Sequence, residues 1–453
     1  MFFPERLRSI RPTDKVLEVG PGSLAHPRAD VFLDRLFEDE AVACAHRGGA
    51  PKVSYDRGVI YYPGGIFPFK DKAFDYLVCA HVLEHVPAQE LSLFLSEIER
   101  VAGRGYLEFP SIFYELINHN PVHHWMMNCR QGTIYLMPKT AFKSNFVHKA
   151  FREMFYGADR YMYKAFGRYR EFFFCGFEWN GPIRYQVVED YDQLVNQEDY
   201  ERLTEYFKTF RPRPRKPRLA AKAAEAGELL KDGLARMWRR LFKGKGHPNK
   251  GSLESWQACD GEATLRLDYD LSPQSVVIDV GGRRGEWARQ MVQRYDPTVY
   301  ILAAAPELGV DLSSKFSANP KVKVFGLGLP DRDGTQPIAL DEDGTGPSRK
   351  GGRGRRVQTR EIAGFLAEHG LESVDLIKIN VEGSEYQLLR RMIETCAVAR
   401  CRDIQVRFHR LVPEATQLRD EIRKLLAQTH YLTYDFPFIC ENWRRRAPAC
   451  SGS

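Results

Sequence analysis

The chain lacks any apolar run of the ~18–20 residues that a membrane span requires. Its nine cysteines are odd in number and scattered, without a single C-x-x-C pair. That argues against a disulfide framework and against a cysteine zinc site, and points to a reducing, cytoplasmic setting. The opening MFFPERLRSIRPTDK has no long apolar stretch and no small-residue cleavage site, so no secretory leader is expected. A balance of 43% hydrophobic and 28% charged residues excludes global disorder. Evenly spread positive charge is also missing. The net charge is +7, yet residues 211–250 hold thirteen Lys/Arg against three Asp/Glu, which leaves the remainder slightly acidic. A nucleic-acid surface extending over the whole protein is not supported, and nucleic acid is not expected as a partner.

At 453 residues the chain is long for one core, since compact domains run on the order of 100–200 residues. The basic segment marks a boundary. It opens RPRPRKPR, where alternating prolines resist helix and sheet. It continues as a helix former in which Leu230, Leu234, Met237, Trp238 and Leu241 recur in three- and four-residue steps, flanked by Arg236, Arg239, Arg240 and Lys243. Such a stripe packs on a neighbouring domain or partner protein, or lies on an anionic membrane surface at the inner face. The expected organisation is a domain over 1–210, a linker over 211–250 and a second domain over 251–453.

Both flanks begin alike. KVLEVGPGS near residue 16 and SVVIDVGGRRGEWA near residue 276 are β-branched runs that end in an acid and glycines before a helical pattern. Alternating strand-like and helix-like pieces follow each: FDYLVCA, a helix from about 88 to 101 and GYLEF in the first; VDLIKIN and a helix from about 384 to 394 in the second. That alternation predicts an α/β fold with two doubly wound, Rossmann-like parallel sheets. Glycines at Gly20 and Gly22 let the backbone approach a ligand, and Asp34, one strand later, offers acceptors for ribose hydroxyls. A dinucleotide fold would add a third glycine where this chain has Ala25, which weakens a nicotinamide reading.

The block from Phe67 to Val86, FPFKDKAFDYLVCAHVLEHV, together with EVGPG and the strand ERVAGRGYLEFP, closely resembles the type 11 class I S-adenosylmethionine-dependent methyltransferases. The resemblance implies S-adenosyl-L-methionine as cofactor. It implies contacts from Glu18, Gly20 and Gly22 around the methionine part, from Asp34 at the ribose, and from Cys79, Ala80 and His81 at a strand end. In place of the family's acid before this block stands Tyr61–Ile66. His81-x-x-Glu84-His85 also spells a zinc-protease pattern, but a strand end before it and Pro87 after it deny the helix that such a site needs. His81 or His85 is a candidate base near the transferred methyl. Residues 142–179 hold fourteen aromatics in thirty-eight, which read as core or as a sugar-stacking face. Phe172–Phe174, Phe177 and Trp179 before Asn180-Gly181 predict a hairpin closing the sheet. His123, His124 and Trp125 are candidates to line an acceptor pocket, and their spacing suggests no metal ligands.

In the second half, Asp279, Gly281 and Gly285 have the D-x-G-x-x-x-G spacing. With VDLIKINVEGSE at 374–385, FHR at Phe408–Arg410 and ENWRR at Glu441–Arg445, this half resembles the FkbM family of methyltransferases. The resemblance implies cofactor contacts by Asp279, Gly281, Gly285, Asn380 and Glu382, with Glu382 and Glu385 near the ligand edge of the sheet. The family's ribose-binding acid before a proline is Ala305 here, and its aspartate is Asn380. Both changes predict weak or absent cofactor binding in this half. The basic loop Ser348–Arg356 reads as an anion handle or as a solvated loop.

The expected function is methyl transfer to an oxygen, which needs alignment and a base but no metal. The resemblance points to a sugar hydroxyl on a glycan or on its lipid-linked or nucleotide-linked precursor. The competing expectation is that one or both halves are degenerate and serve as a binding module in a glycan-synthesis complex.

Overall fold

A computed structural model describes residues 1–22, 25–37, 39–47, 57–139, 166–209, 249–329, 333–338 and 355–447. The helix read over 211–250 and most of the basic loop 348–356 lie outside the described residues. In the first half the strands are β1 (Val16–Val19), β2 (Val31–Arg35), β3 (Val59–Tyr62), β4 (Tyr76–Ala80), β5 (Arg104–Pro110), β6 (Trp125–Arg130), β7 (Thr133–Pro138), β8 (Phe174–Asn180) and β9 (Arg184–Val187). In the second they are β10 (Val276–Val280), β11 (Thr298–Leu302), β12 (Val322–Phe325), β13 (Gly334–Ile338), β14 (Arg355–Thr359), β15 (Val374–Ile379), β16 (Cys401–Val406), β17 (His430–Phe436) and β18 (Cys440–Arg445). The α/β class expected from the sequence is the class observed, with parallel strands joined through helices.

Two compact units form, but not along the expected boundary. One comprises Met1–His26, Asp39–Lys52 and Gly65–Lys250; the other comprises Pro27–Glu38, Val53–Gly64 and Gly251–Ser453. The strands β2 and β3 therefore group with the second unit, whereas a cut within 211–250 assigns them to the first. Tertiary pairing is the cause. β17 runs antiparallel to β3, with Tyr434 opposite Ile60 and Asp435 opposite Val59. The Ser255 hydroxyl donates to the Asp30 carbonyl at 2.5 Å. Phe436, fully buried, lies edge-on to Trp256 at 5.0 Å between ring centroids.

In the first unit β1, β4 and β5 are parallel, and β8 closes on β5 antiparallel. The helix Leu91–Val101 forms because Leu91, Phe94, Leu95, Ile98 and Val101 recur at helical spacing and all are buried. Phe166, Phe173 and Phe174 pack with Tyr76, Tyr106 and Tyr114, so the described part of the aromatic stretch is core. The expected hairpin at Asn180-Gly181 does not form. After that turn β9 pairs parallel with β7, in a separate sheet that β6 completes, and not with β8.

In the second unit the sheet order is β12-β11-β10-β15-β16-β18-β17-β3-β2. Strands β12 through β16 in that order are parallel. The chain leaves β10 towards β11 on one side and returns as β15 on the other. Such a switch point opens a crevice at the carboxyl ends of the strands, where ligands of open α/β sheets bind. Among the described residues no helix is long and apolar enough to cross a membrane.

The β17–β3 seam is directly testable. Phe436→Ala is expected to cost about 3–5 kcal/mol, as for other buried aromatic truncations. Amide exchange at residues 59–62 should accelerate together with that at 430–436. Protection at 59–62 that is indifferent to this change would mean that β3 does not depend on the second unit.

Candidate cofactor sites

In the first unit β1 runs into the turn Gly20-Pro21-Gly22. Gly20 and Gly22 have φ of +64° and +57°, a left-handed conformation that glycine enters without steric cost. The turn thus exposes backbone at the carboxyl end of a parallel strand. Glu18, one residue before the end of β1, is buried, and its Oε2 accepts from the His26 amide at 2.7 Å. Burial raises its carboxyl to about 7, against the opposing pull of that amide. The positive chain terminus adds a smaller pull in the same direction as the amide.

The end of β4 supplies Cys79, Ala80 and His81. Cys79 is buried, and burial pushes its thiol up, away from a reactive thiolate. His81 sits at φ +59°. Its Nε2 is 2.8 Å from Glu108 Oε1 and its Nδ1 is 3.5 Å from Glu84 Oε1. Burial alone would lower its pKa, but the two carboxylates outweigh that and hold it up at about 9. Glu108 is the complement: burial opposes ionisation, yet His81 and the Tyr106 hydroxyl bring it down to about 2. His81 is thus a held cation at neutral pH and not a proton acceptor. His85 is the opposite. Burial, with His123 and His46 nearby, drives it down to about 3, and its Nδ1–H donates to the Val122 carbonyl at 3.1 Å. Neither candidate base titrates near neutrality, where a general base works best.

Asp34 lies on β2, opposite Tyr61 of β3, and its Oδ1 accepts from the Arg35 amide at 3.0 Å. Leu83–His85 is a single 3-10 turn, so the zinc-protease helix is absent, as expected. Trp125 is buried with its Nε1 donating to the Val86 carbonyl at 2.7 Å, and the His124 amide donates to the Glu84 carbonyl at 2.7 Å. Sequence spacing gave no sign of one convergence. Glu84, His85 and His123 each bring a ligand-type atom within 4.8 Å of the others.

In the second unit Asp279, fully buried near the end of β10, lies in register with Lys378 of β15. The Lys378 ammonium donates to Asp279 Oδ1 at 2.7 Å and to the Gly281 carbonyl at 3.1 Å. Gly281 has φ +79°, and a Cβ there would stand 2.2 Å from the Asn380 carbonyl oxygen. Only glycine lets these two strand ends approach so closely. Gly285, at φ +76°, precedes the helix Glu286–Tyr295. Asp279 Oδ2 and Asn380 Oδ1 are both buried and have no hydrogen-bond partner among the described residues. Two unsatisfied acceptors at adjacent strand ends are costly unless a donor reaches them.

The remaining motif residues divide. Glu382 has φ +49° and is 3.5 Å from the Arg283 guanidinium. Glu385, expected near the ligand edge, turns inward and is fully buried. Its carboxylate accepts from the Gly383 amide at 2.7 Å and from the His409 amide at 2.7 Å, so it ties the VEGSE turn to the FHR segment. Glu441 of ENWRR is likewise structural, ion-paired with the buried Arg419. Ala305 is buried ahead of the helix Pro306–Lys315 and carries no acceptor.

Two family models match the chain. The methyltransferase FkbM domain family matches residues 279–436, and the family described as methyltransferase domain matches residues 38–107. No curated protein matches the chain. Among solved structures, the cyclopropane synthase MmaA2 from Mycobacterium tuberculosis is 16% identical over 34% of this chain and 42% of its own, at a TM-score of 0.20. A putative methyltransferase from Bacillus halodurans is 25% identical over 26% of this chain and 57% of its own, at a TM-score of 0.19. This chain therefore spans less than two thirds of either structure. A putative RNA methyltransferase from Pyrococcus horikoshii is 12% identical over 45% of this chain and 86% of its own, at a TM-score of 0.25. The chain thus carries two methyltransferase domain matches in tandem, the second of the FkbM type.

The Lys378–Asp279 pair gives a stability prediction. Lys378→Met leaves a buried carboxylate without its cation and is expected to cost about 3–5 kcal/mol in denaturant unfolding. Replacing both partners, Lys378→Met with Asp279→Leu, should restore most of that loss.

Proposed function

We propose that this enzyme transfers the methyl group of S-adenosylmethionine to an oxygen, with a sugar hydroxyl on a glycan or its lipid-linked or nucleotide-linked precursor as acceptor. The observation that carries the cofactor assignment is the glycine turn beside the buried Glu18 carboxylate. Burial holds that carboxyl at about 7, and an ammonium group suits it. In this reading Glu18, Gly20 and Gly22 hold the methionine part, with Cys79, Ala80 and His81 lining the strand end. The cofactor supplies an activated methyl on a sulfonium. The new carbon–oxygen bond forms as the carbon–sulfur bond breaks, the electron pair returns to sulfur, and the hydroxyl proton passes to a base. The chain's own task is alignment. His81 contributes a fixed positive charge at the strand end, and His85 is the imidazole that stays unprotonated.

We infer that the second half also holds cofactor, since Asp279 Oδ2 and Asn380 Oδ1 offer two buried acceptors without donors. A second reading, in which this half is a binding module without activity, is favoured by Ala305, which provides no ribose acceptor. From charge alone, residues 211–250 are the segment that would hold the enzyme at an anionic inner membrane face or on a partner protein.

Calorimetric titration of S-adenosylmethionine into the full chain tests this. Two sites per chain are expected, with Glu18→Gln abolishing one and Asp279→Asn weakening the other. A single site, lost in Glu18→Gln, would establish the binding-module reading of the second half.

Proton linkage gives an independent readout. At pH 6 the free Glu18 is largely protonated, and an ammonium partner would ionise it, so binding should release a proton. The apparent binding enthalpy should then vary with the buffer's ionisation enthalpy at pH 6. At pH 6 it should not vary in Glu18→Gln, where there is no carboxyl proton to release.

A further inference from the structure

We propose that Glu84, His85 and His123 form a binding site for one divalent transition-metal ion of the zinc class, with two imidazole nitrogens, one carboxylate oxygen and at least one position open. The inference is independent of the cofactor assignment. It rests on four observations.

First, the donor atoms converge. One from each residue lies within 4.8 Å of the other two. Ligands about 2.1 Å from a tetrahedral ion stand roughly 3.4 Å apart, so side-chain rotation of about an ångström completes the set. Second, Glu84 Oε2 is buried and has no hydrogen-bond partner among the described residues, while the residue as a whole is 1% exposed. A buried carboxylate oxygen left unsatisfied is costly in a folded protein unless a cation meets it.

Third, His85 is set up as a ligand. Its Nδ1–H is spent on the Val122 carbonyl at 3.1 Å, which fixes the tautomer and leaves the Nε2 lone pair available. Fourth, His123 has the carboxylate support that orients many metal-bound imidazoles. Its Nδ1 is bonded to the buried Glu115, whose other oxygen accepts from Lys139 Nζ at 2.8 Å. The second nitrogen of His123 faces Asn120 Nδ2 at 3.0 Å, a contact the ion would replace.

The set comes from two segments. The turn Leu83–His85 follows β4, and the loop before β6 supplies His123. Trp125 and the His124 amide bind those segments together through the Val86 and Glu84 carbonyls, at 2.7 Å each. This scaffold holds the donors whether or not an ion is present. Two nitrogens and one carboxylate suit zinc or ferrous iron and leave positions for water or another oxygen ligand.

The full-length protein, stripped with chelator and desalted, would be titrated with zinc and then with cobalt(II). One ion per chain is expected. The cobalt spectrum should show ligand-field bands without thiolate charge transfer, because the set contains no cysteine. Glu84→Gln and His123→Gln should each weaken binding at least tenfold. Glu115→Gln, which leaves all three ligands in place, should weaken it 10–100-fold as a positioning change. Circular dichroism would verify that each variant is folded. No retained ion, a thiolate band, or wild-type affinity in folded Glu84→Gln would overturn the proposal. Should the variants fail to fold, X-ray absorption of the zinc-loaded wild-type protein decides: a shell of nitrogen and oxygen supports the site, and sulfur in the shell refutes it.

Discussion

A carboxylate taken out of water must find a compensating charge or donor, and the chemistry of this protein is arranged around that requirement at the ends of its parallel strands. Glu18, Glu84, Glu108 and Asp279 are all buried there or in the turns just beyond. Each meets the requirement differently. Asp279 has the Lys378 ammonium, Glu108 has His81, and Glu84 has His81 on one oxygen only. Glu18 has a single amide and keeps its proton up to about 7. The less complete the internal compensation, the more a site invites a ligand that supplies the missing charge.

This ordering separates the two halves. In the first, the carboxylate below the glycine turn keeps its proton up to about 7, so a cationic ligand changes its ionisation. In the second, the corresponding acid is already neutralised by a lysine one strand away, and the unsatisfied acceptors are one remaining oxygen of Asp279 and the side-chain oxygen of Asn380. A ligand there meets a dipolar cradle and not a free anion. Tandem copies of one fold have thus reached different electrostatic states at the same topological position.

The segments that surround the sites serve geometry. Glu385 links the VEGSE turn to His409, and Arg419 with Glu441 ties the helix Ala415–Leu426 to β18. Glu385 and Glu441 lie in motifs, yet they act inward. Their burial with two or more partners distinguishes them from Glu382, whose partner Arg283 is 3.5 Å away and 48% exposed. Charge within a motif does not by itself mark a ligand contact; the direction of the side chain does.

The sequence by itself determined the α/β class, the strand–turn–helix starts at Gly20 and Gly281, the helices after β4 and β15, and the methyltransferase character. All of these rest on short-range patterns: apolar period, glycine spacing and the blocks AFDYLVCAHVLEH and VDLIKINVEGSE. Tertiary structure alone decided three things. It drew β2 and β3 to the second unit, because β17 offers its edge to β3. It sent β9 to β7 and not to β8, since the turn at Asn180-Gly181 specifies a reversal but not the partner strand. And it set the ionisation of His81 and His85, four residues apart, on opposite sides of neutrality. The reason is common to all three. Strand partners and carboxylates that lie tens of residues away in sequence fix these outcomes, and only packing brings them within a few ångströms.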